Sequence, residues 1–184
     1  TGVQTCALPI STIMETQLDP PESGAEHYRL ALQTVPNHPV ALRALELAYR
    51  RSGDGAALKA FYQREALVTT EPSERVWLWA RAAYLCEHSL EDLESAAQLY
   101  ERALEADESM LPVIRGRRRV AEALGNGEVA LESIRREGKC TAAADRREEL
   151  LFSSARLYEE QLGQSEPAIQ AYLELLESNP DRKS

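Results

Sequence analysis

The sequence predicts an all-α fold, built as a solenoid of antiparallel helix pairs. A large residue returns in five successive amphipathic segments, at Tyr28, Tyr62, Tyr100, Ile134 and Tyr172. The intervals between these residues alternate between about 34 and about 38 residues, a period typical of helical repeat arrays. Alanine, leucine, glutamate and arginine dominate the composition, and the prolines fall between the segments or in their first turns.

One short and one long interval together make a double unit of about 72 residues, which corresponds to two helix pairs. One double unit after Gly53 the sequence has Gly125, and two double units after Tyr28 it has Tyr172. Agreement at both turn and core positions indicates an internal duplication. The predicted array covers residues 11–180 and holds about four and a half helix pairs.

Apolar periodicity, interrupted by proline and glycine, divides the array into helices. They are expected at residues 12–18, 23–35, 39–52, 56–69, 73–88, 92–106, 110–124, 128–138, 143–162 and 166–178. The segment 92–106 shows the pattern most clearly, because Ala96 and Ala103 flank Tyr100 on one face. Small residues let neighbouring helices approach, and the aromatic ring fills the space between them.

Both ends of the chain look foreign to the array. The nucleotides GCTCTTCCGATC encode residues 7–10, and their reverse complement encodes residues 181–184. Residues 1–10 and 181–184 therefore resemble a translated sequencing adapter, and we expect both to be non-native. On this interpretation the chain is a fragment of a longer protein.

Composition and charge exclude several classes of function. The net charge of −9 argues against a general nucleic-acid binder, and no apolar run is long enough to span a membrane. Outside the foreign segment the cysteines are Cys86 and Cys140, whose spacing does not suggest a disulfide framework. We expect a cytoplasmic location, although the missing native start leaves export open.

The helix pair resembles the tetratricopeptide repeat, in which W-x2-L-G-x2-Y is followed by A-x3-F and then proline. Leu42, Leu45 and Tyr49 match the first helix of one pair, while Trp77 and Tyr84 match aromatic positions of the next. The remaining residues expected to define the repeat core are Ala31, Ala96, Ala103, Ala130, Tyr158 and Ala168, together with the five residues at the regular interval. The resemblance implies a right-handed superhelix like those of large bacterial tetratricopeptide-repeat proteins.

No pattern of residues predicts catalysis, a cofactor or a metal site, and we do not expect an enzyme. Cys86 and His88 lack the further ligands that a metal ion requires, and they fit a buried residue and a helix end instead. The acidic pairs at 148–149 and 159–160 fit a solvated helix face.

The basic run at 115–119 is the sharpest local anomaly. Arg115 and Arg119 are four residues apart and share a helix face, and Arg117 stands where the family places a core leucine. The resemblance implies that Arg115 and Arg119 line the concave surface, together with Arg43, Arg50 and Arg156. These arginines predict an acidic peptide or helix as ligand. The alternative is pairing with glutamates of the chain itself.

The sequence therefore predicts a protein–protein interaction module, an adaptor or scaffold segment that binds a peptide or helix on its concave face. A structural spacer within a larger protein and a regulatory appendage of an enzyme are the alternatives. The partner is expected to be a protein rather than nucleic acid or membrane. Uncovered apolar faces at the two ends also predict self-association.

Overall fold

The computed structural model describes residues 22–36 and 38–178, and helices are its only regular secondary structure there. In those residues the helices are α1 (Glu22–Thr34), α2 (Pro39–Ser52), α3 (Gly55–Val68), α4 (Pro72–His88), α5 (Leu93–Ala106), α6 (Leu111–Ala123), α7 (Gly127–Cys140), α8 (Ala144–Glu160) and α9 (Ser165–Ser178). The all-α prediction is confirmed. The helix expected at 12–18 and the foreign segments at 1–10 and 181–184 lie outside the described residues.

Local chemistry explains where the helices begin. Asp92 and Asn126 accept hydrogen bonds from the third backbone N–H after them, at 3.0 and 3.3 Å, and so cap α5 and α7. A proline stands in the first turn of α2, α4 and α6, where its missing N–H has no helical partner to lose. Gly53 and Gly125 adopt φ of 70° and 71° in the turns before α3 and α7, a conformation that favours glycine.

The helix starts follow the double unit seen in the sequence. α2 begins at residue 39 and α6 at residue 111, one double unit later, and the same interval separates α3 from α7. It also separates α4 from α8 and α5 from α9. Equivalent positions in these helix pairs can therefore be compared directly.

The described chain forms two compact units, the first ending at Arg64 and the second beginning at Glu65. In the first unit α1 packs against α2, and Tyr28, Leu32 and Leu45 are almost fully buried. Tyr62 is also buried, and the ring of Phe61 lies edge-on to that of Tyr49, 6.4 Å between centroids.

In the second unit each helix from α4 to α9 packs against the next one in the chain. Buried alanines at the contacts keep the helices close, among them Ala96, Ala103 and Ala130. One cluster of apolar side chains fills the space between α6, α7 and α8: Ala121, Ala130, Leu131, Ile134, Leu150 and Leu157.

The residues expected to define the repeat core divide into three groups. Those that are buried are Tyr28, Leu45, Tyr62, Ala96, Tyr100, Ala103, Ala130, Ile134 and Ala168. Those that are half-buried are Ala31, Leu42, Tyr49, Tyr158 and Tyr172. Trp77 and Tyr84 differ from the expectation, because their side chains are 50% and 55% exposed. The buried positions of α4 are taken by Val76, Trp79 and Cys86 instead, so the core runs along a different face of this helix.

Candidate interaction surfaces

The basic run lies entirely within α6, where successive side chains point in different directions. Together the arginines reach α4, α5 and α7 of the second unit. Arg115 and Arg118 contact α7, Arg117 contacts both α5 and α7, and Arg119 contacts α4. The run thus connects α6 to several neighbours.

The first cluster surrounds the carboxylate of Glu137, whose side chain is fully buried. Arg115 Nε donates to Glu137 Oε1 at 2.7 Å, and Arg146 of α8 donates to the same oxygen through Nε at 3.0 Å and a terminal nitrogen at 2.8 Å. Arg118 lies 3.9 Å from Oε2. Burial raises the pKa of Glu137, but the hydrogen bonds and positive charge of the arginines outweigh it, and the pKa is lowered. The carboxylate is therefore held in its ionised form between three helices.

The second cluster centres on Arg117, whose side chain is only 8% exposed. Its Nε donates to Glu101 at 2.6 Å, and its terminal nitrogens donate to Glu132 at 2.8 Å and to the Ser133 hydroxyl at 3.0 Å. The hydrogen bond from Arg117 lowers the pKa of Glu132. An arginine at a core position is thus satisfied by groups from the helices on either side of α6.

The third cluster joins α4, α5 and α6 around Glu87. Arg119 donates two hydrogen bonds to its carboxylate, at 2.8 and 3.1 Å, and the Tyr100 hydroxyl donates a third at 2.6 Å. Burial opposes ionisation of Glu87, but these donors outweigh it and lower its pKa. Burial and the neighbouring carboxylate raise the pKa of Tyr100.

A glycine brings α6 close to the tyrosine of this cluster. A Cβ atom added to Gly116 would overlap atoms of the Tyr100 ring. The ring therefore occupies the space that any other residue would need at this position. On α6, Gly116 thus makes room for the Tyr100 ring, and Arg119 binds the Glu87 carboxylate.

Of the five arginines predicted to line the concave surface, four contact glutamates of the chain itself. Besides Arg115 and Arg119, Arg50 pairs with Glu46 at 2.9 Å, and Arg156 binds Glu160 through two hydrogen bonds of 2.9 Å. Arg43 is exposed on α2. Arg43 and Arg50 belong to the first unit and the other three to the second. The alternative of internal pairing thus describes four of the five predicted residues.

An aromatic surface that the sequence analysis missed lies on α4. Trp77, Arg81, Tyr84 and His88 follow one another at the spacing of a single helix face. The rings of Tyr84 and His88 stack with their centroids 4.0 Å apart. The signal was present in the sequence, since large apolar residues occur on both faces of α4 and only one face can enter the core. We call these four residues the α4 face.

Among residues 22–36 and 38–178, no group of histidine, cysteine and acidic residues is arranged to hold a metal ion. Cys86 is buried, Cys140 is exposed, and both are free thiols. None of the described helices combines the length and apolarity needed to cross a membrane.

Comparison with known proteins identifies the repeats. The family model described as Tetratricopeptide repeat matches residues 78–110 and 148–182, which include most of α4 with α5 and of α8 with α9. No curated protein sequence matches the chain.

Solved structures share the fold at low sequence identity. The crystal structure of MamA protein is 16% identical, with a TM-score of 0.58, over 97% of this chain and 93% of that one. A tetratricopeptide repeat protein from Parabacteroides merdae is also 16% identical with a TM-score of 0.58, over 98% of this chain and 68% of that one. YrrB, described as a TPR protein with an unusual peptide-binding site, is 14% identical with a TM-score of 0.56, over 95% and 86%. The repeat matches and the shared fold lead to one conclusion: this chain contains tetratricopeptide repeats, at residues 78–110 and 148–182.

Proposed function

We propose that this chain is a protein–protein interaction module that binds a peptide or helix of its partner on the α4 face. The main observation in support is the pair of half-exposed aromatic side chains, Trp77 and Tyr84, which lie seven residues apart on one helix. Tryptophan, tyrosine and arginine are the residues most enriched among those that dominate binding energy. A tetratricopeptide-repeat fold and the peptide site named for YrrB support the same class of function.

The predicted acidic ligand has less support than the predicted class of partner. An acidic peptide would have to compete with Glu137 for Arg115 and with Glu87 for Arg119. Arg43, by contrast, is exposed on α2 and belongs to neither of these two clusters. We therefore place the aromatic contacts of the α4 face first, and keep acidic character of the ligand as a secondary expectation.

The test is selection of peptides from a random display library, with the full chain as bait and binding measured by fluorescence anisotropy. Replacing Trp77 and Tyr84 by alanine should weaken binding of the selected peptides at least tenfold, because each ring offers a large contact area. Replacing Leu30 and Leu67, which are exposed elsewhere, provides the control. Peptides whose affinity is unchanged by the substitutions of Trp77 and Tyr84 would contradict the proposal.

A structural spacer is the second candidate function, favoured by the internal pairing of the arginines. On this view the three clusters on α6 serve only to hold the second unit together. The same selection separates the two candidates, since a spacer should yield no peptide whose binding depends on Trp77 and Tyr84.

A further inference from the structure

Arg115 uses only one of its three guanidinium nitrogens for contacts within the part of the chain that the structure describes. Its Nε donates to Glu137 Oε1 at 2.7 Å, and in residues 22–36 and 38–178 its two terminal nitrogens form no hydrogen bond. A guanidinium can bind a carboxylate through the side formed by these terminal nitrogens as well as through the side that contains Nε. Because the Arg115 side chain is 44% exposed, a ligand can reach its terminal side.

Two further exposed arginines of the second unit differ from Arg115 in their pairing. Arg119 and Arg156 each bind both oxygens of one glutamate through two nitrogens, so their ion pairs are complete. Arg115 binds one oxygen of Glu137, and Arg146 donates two hydrogen bonds to the same oxygen. Arg115 is therefore the arginine of these three that shares its carboxylate with another cation.

The buried Glu137 carboxylate holds Arg115 in a fixed position. Contacts from both α6 and α8 fix the carboxylate, so the hydrogen bond to Nε also fixes the plane of the Arg115 guanidinium. A side chain that is already ordered loses less conformational freedom when a ligand binds. α6 lies inside the second unit, where it packs against α5 and α7, so both of its neighbours in the array are present.

The α4 face lies close to this part of α6. α6 contacts α4 directly, and Arg119, one turn after Arg115, binds Glu87 of α4. The hydrogen bonds to Glu87 raise the pKa of Arg119, and the Tyr84 hydroxyl of the α4 face lies near enough to add to this effect. One helical turn is about 5.4 Å long. A peptide that contacts Tyr84 can therefore extend to Arg115.

We propose that the partner segment on the α4 face carries an aspartate or glutamate whose carboxylate binds the terminal nitrogens of Arg115. This inference rests on the proposed function and names the chemistry of its ligand, which is apolar side chains for Trp77 and Tyr84 together with one acidic side chain. Glu137 stays bound, since an acidic ligand competes with it only for the Nε side of the guanidinium. A planar carboxylate matches the two parallel donors of the terminal side.

The peptides selected from the random display library for their dependence on Trp77 and Tyr84 supply the probes. We expect them to share an aspartate or glutamate at a fixed distance from their apolar residues. The probes are synthesised with a C-terminal amide, so that only side chains supply carboxylates, and binding to the full chain is measured by fluorescence anisotropy. Replacing the shared acid by its amide should weaken binding about tenfold, because a charge-assisted contact is lost.

Variants of the full chain assign this contact to Arg115. Arg115→Gln should weaken binding of the acidic peptide about tenfold and leave binding of the amide peptide unchanged, as expected for two groups in direct contact. Arg115→Lys should restore only part of the affinity, because an ammonium group lacks the planar pair of donors. Arg156→Gln is the matched control, since Arg156 is 55% exposed but has a complete pair, and it should leave the affinity unchanged.

The outcomes separate this inference from the proposed function. Peptides that require Trp77 and Tyr84, but bind equally well after Arg115→Gln and after the change from acid to amide, would overturn the inference alone. The amide peptide tests the contact on the unaltered chain, even where an Arg115 variant is poorly folded. Peptides that require Arg115 but not the two aromatic rings would contradict the proposed function and the joint site. A selection without peptides that depend on either would overturn both.

Discussion

Replacing Glu137 by leucine should lower the free energy of unfolding by about 3 kcal/mol. Removing one partner of a buried ion pair costs about 3–5 kcal/mol, because the remaining charge is left without compensation. Here the cost should lie near the lower limit, since Arg115 and Arg146 are 44% and 28% exposed and can regain water. Leucine is similar enough in size to avoid a large cavity, so the loss reports mainly on the ionic contacts.

Urea unfolding followed by far-UV circular dichroism measures this change. Glu137→Gln separates charge from shape, because the amide oxygen can still accept from Arg115 and Arg146, and we expect a loss of about 1–2 kcal/mol. Glu105→Leu, at an exposed glutamate of α5, is the matched control and should stay within about 0.5 kcal/mol of the natural protein. A Glu137→Leu variant as stable as this control would show that the arginines do not depend on Glu137, and would refute the reasoning.

Three further predictions concern the same helices. Arg117→Leu should change the free energy of unfolding by no more than about 1 kcal/mol, because its two carboxylate partners are nearly half exposed and can return to water; a loss above about 3 kcal/mol in urea unfolding would contradict this. Gly116→Ala should cost about 1–3 kcal/mol by the same assay, since the new Cβ must displace the Tyr100 ring, and an unchanged urea midpoint would disprove that close contact. The pKa values of Glu137 and Glu87 are lowered in the folded protein, so the unfolded state takes up protons first as the pH falls. The stability that these carboxylates contribute is therefore complete above about pH 4.3 and is lost as the pH drops through their folded pKa values. Urea midpoints measured between pH 6 and pH 3 should fall less steeply for Glu137→Gln, and an identical slope would argue against the assignment.

The helices of this protein could be predicted because their signals are local. Apolar periodicity, proline in first turns and glycine in the turns at Gly53 and Gly125 depend on residues a few positions apart. The recurrence of Tyr28, Tyr62 and Tyr100 likewise required no knowledge of the tertiary structure. The resemblance to the tetratricopeptide repeat rested on local spacings as well, such as those of Leu42, Leu45 and Tyr49 within one helix.

The faces of individual helices were harder to assign. α4 carries large apolar residues all round, and periodicity alone could not choose between Trp77 and Trp79 for the core. The choice depends on which neighbour the helix meets, and Arg102 of α5 lies over the Trp79 ring, 5.1 Å from its centroid. Consequently the sequence pattern assigns Trp77 and Tyr84 to the core, although both lie on the exposed α4 face.

By itself, the sequence determined the all-α architecture and the repeat period, because both depend on the spacing of residues along the chain. Only the tertiary structure decided what the basic run on α6 contacts. Arg115 binds Glu137, which lies 22 residues later in the sequence, and Arg119 binds Glu87, which lies 32 residues earlier. Such partners are chosen by the packing of whole helices, and opposite charges are too numerous in this sequence for pairing to be read from it. The physical reason is that a guanidinium near a protein surface binds whichever carboxylate the fold brings within reach.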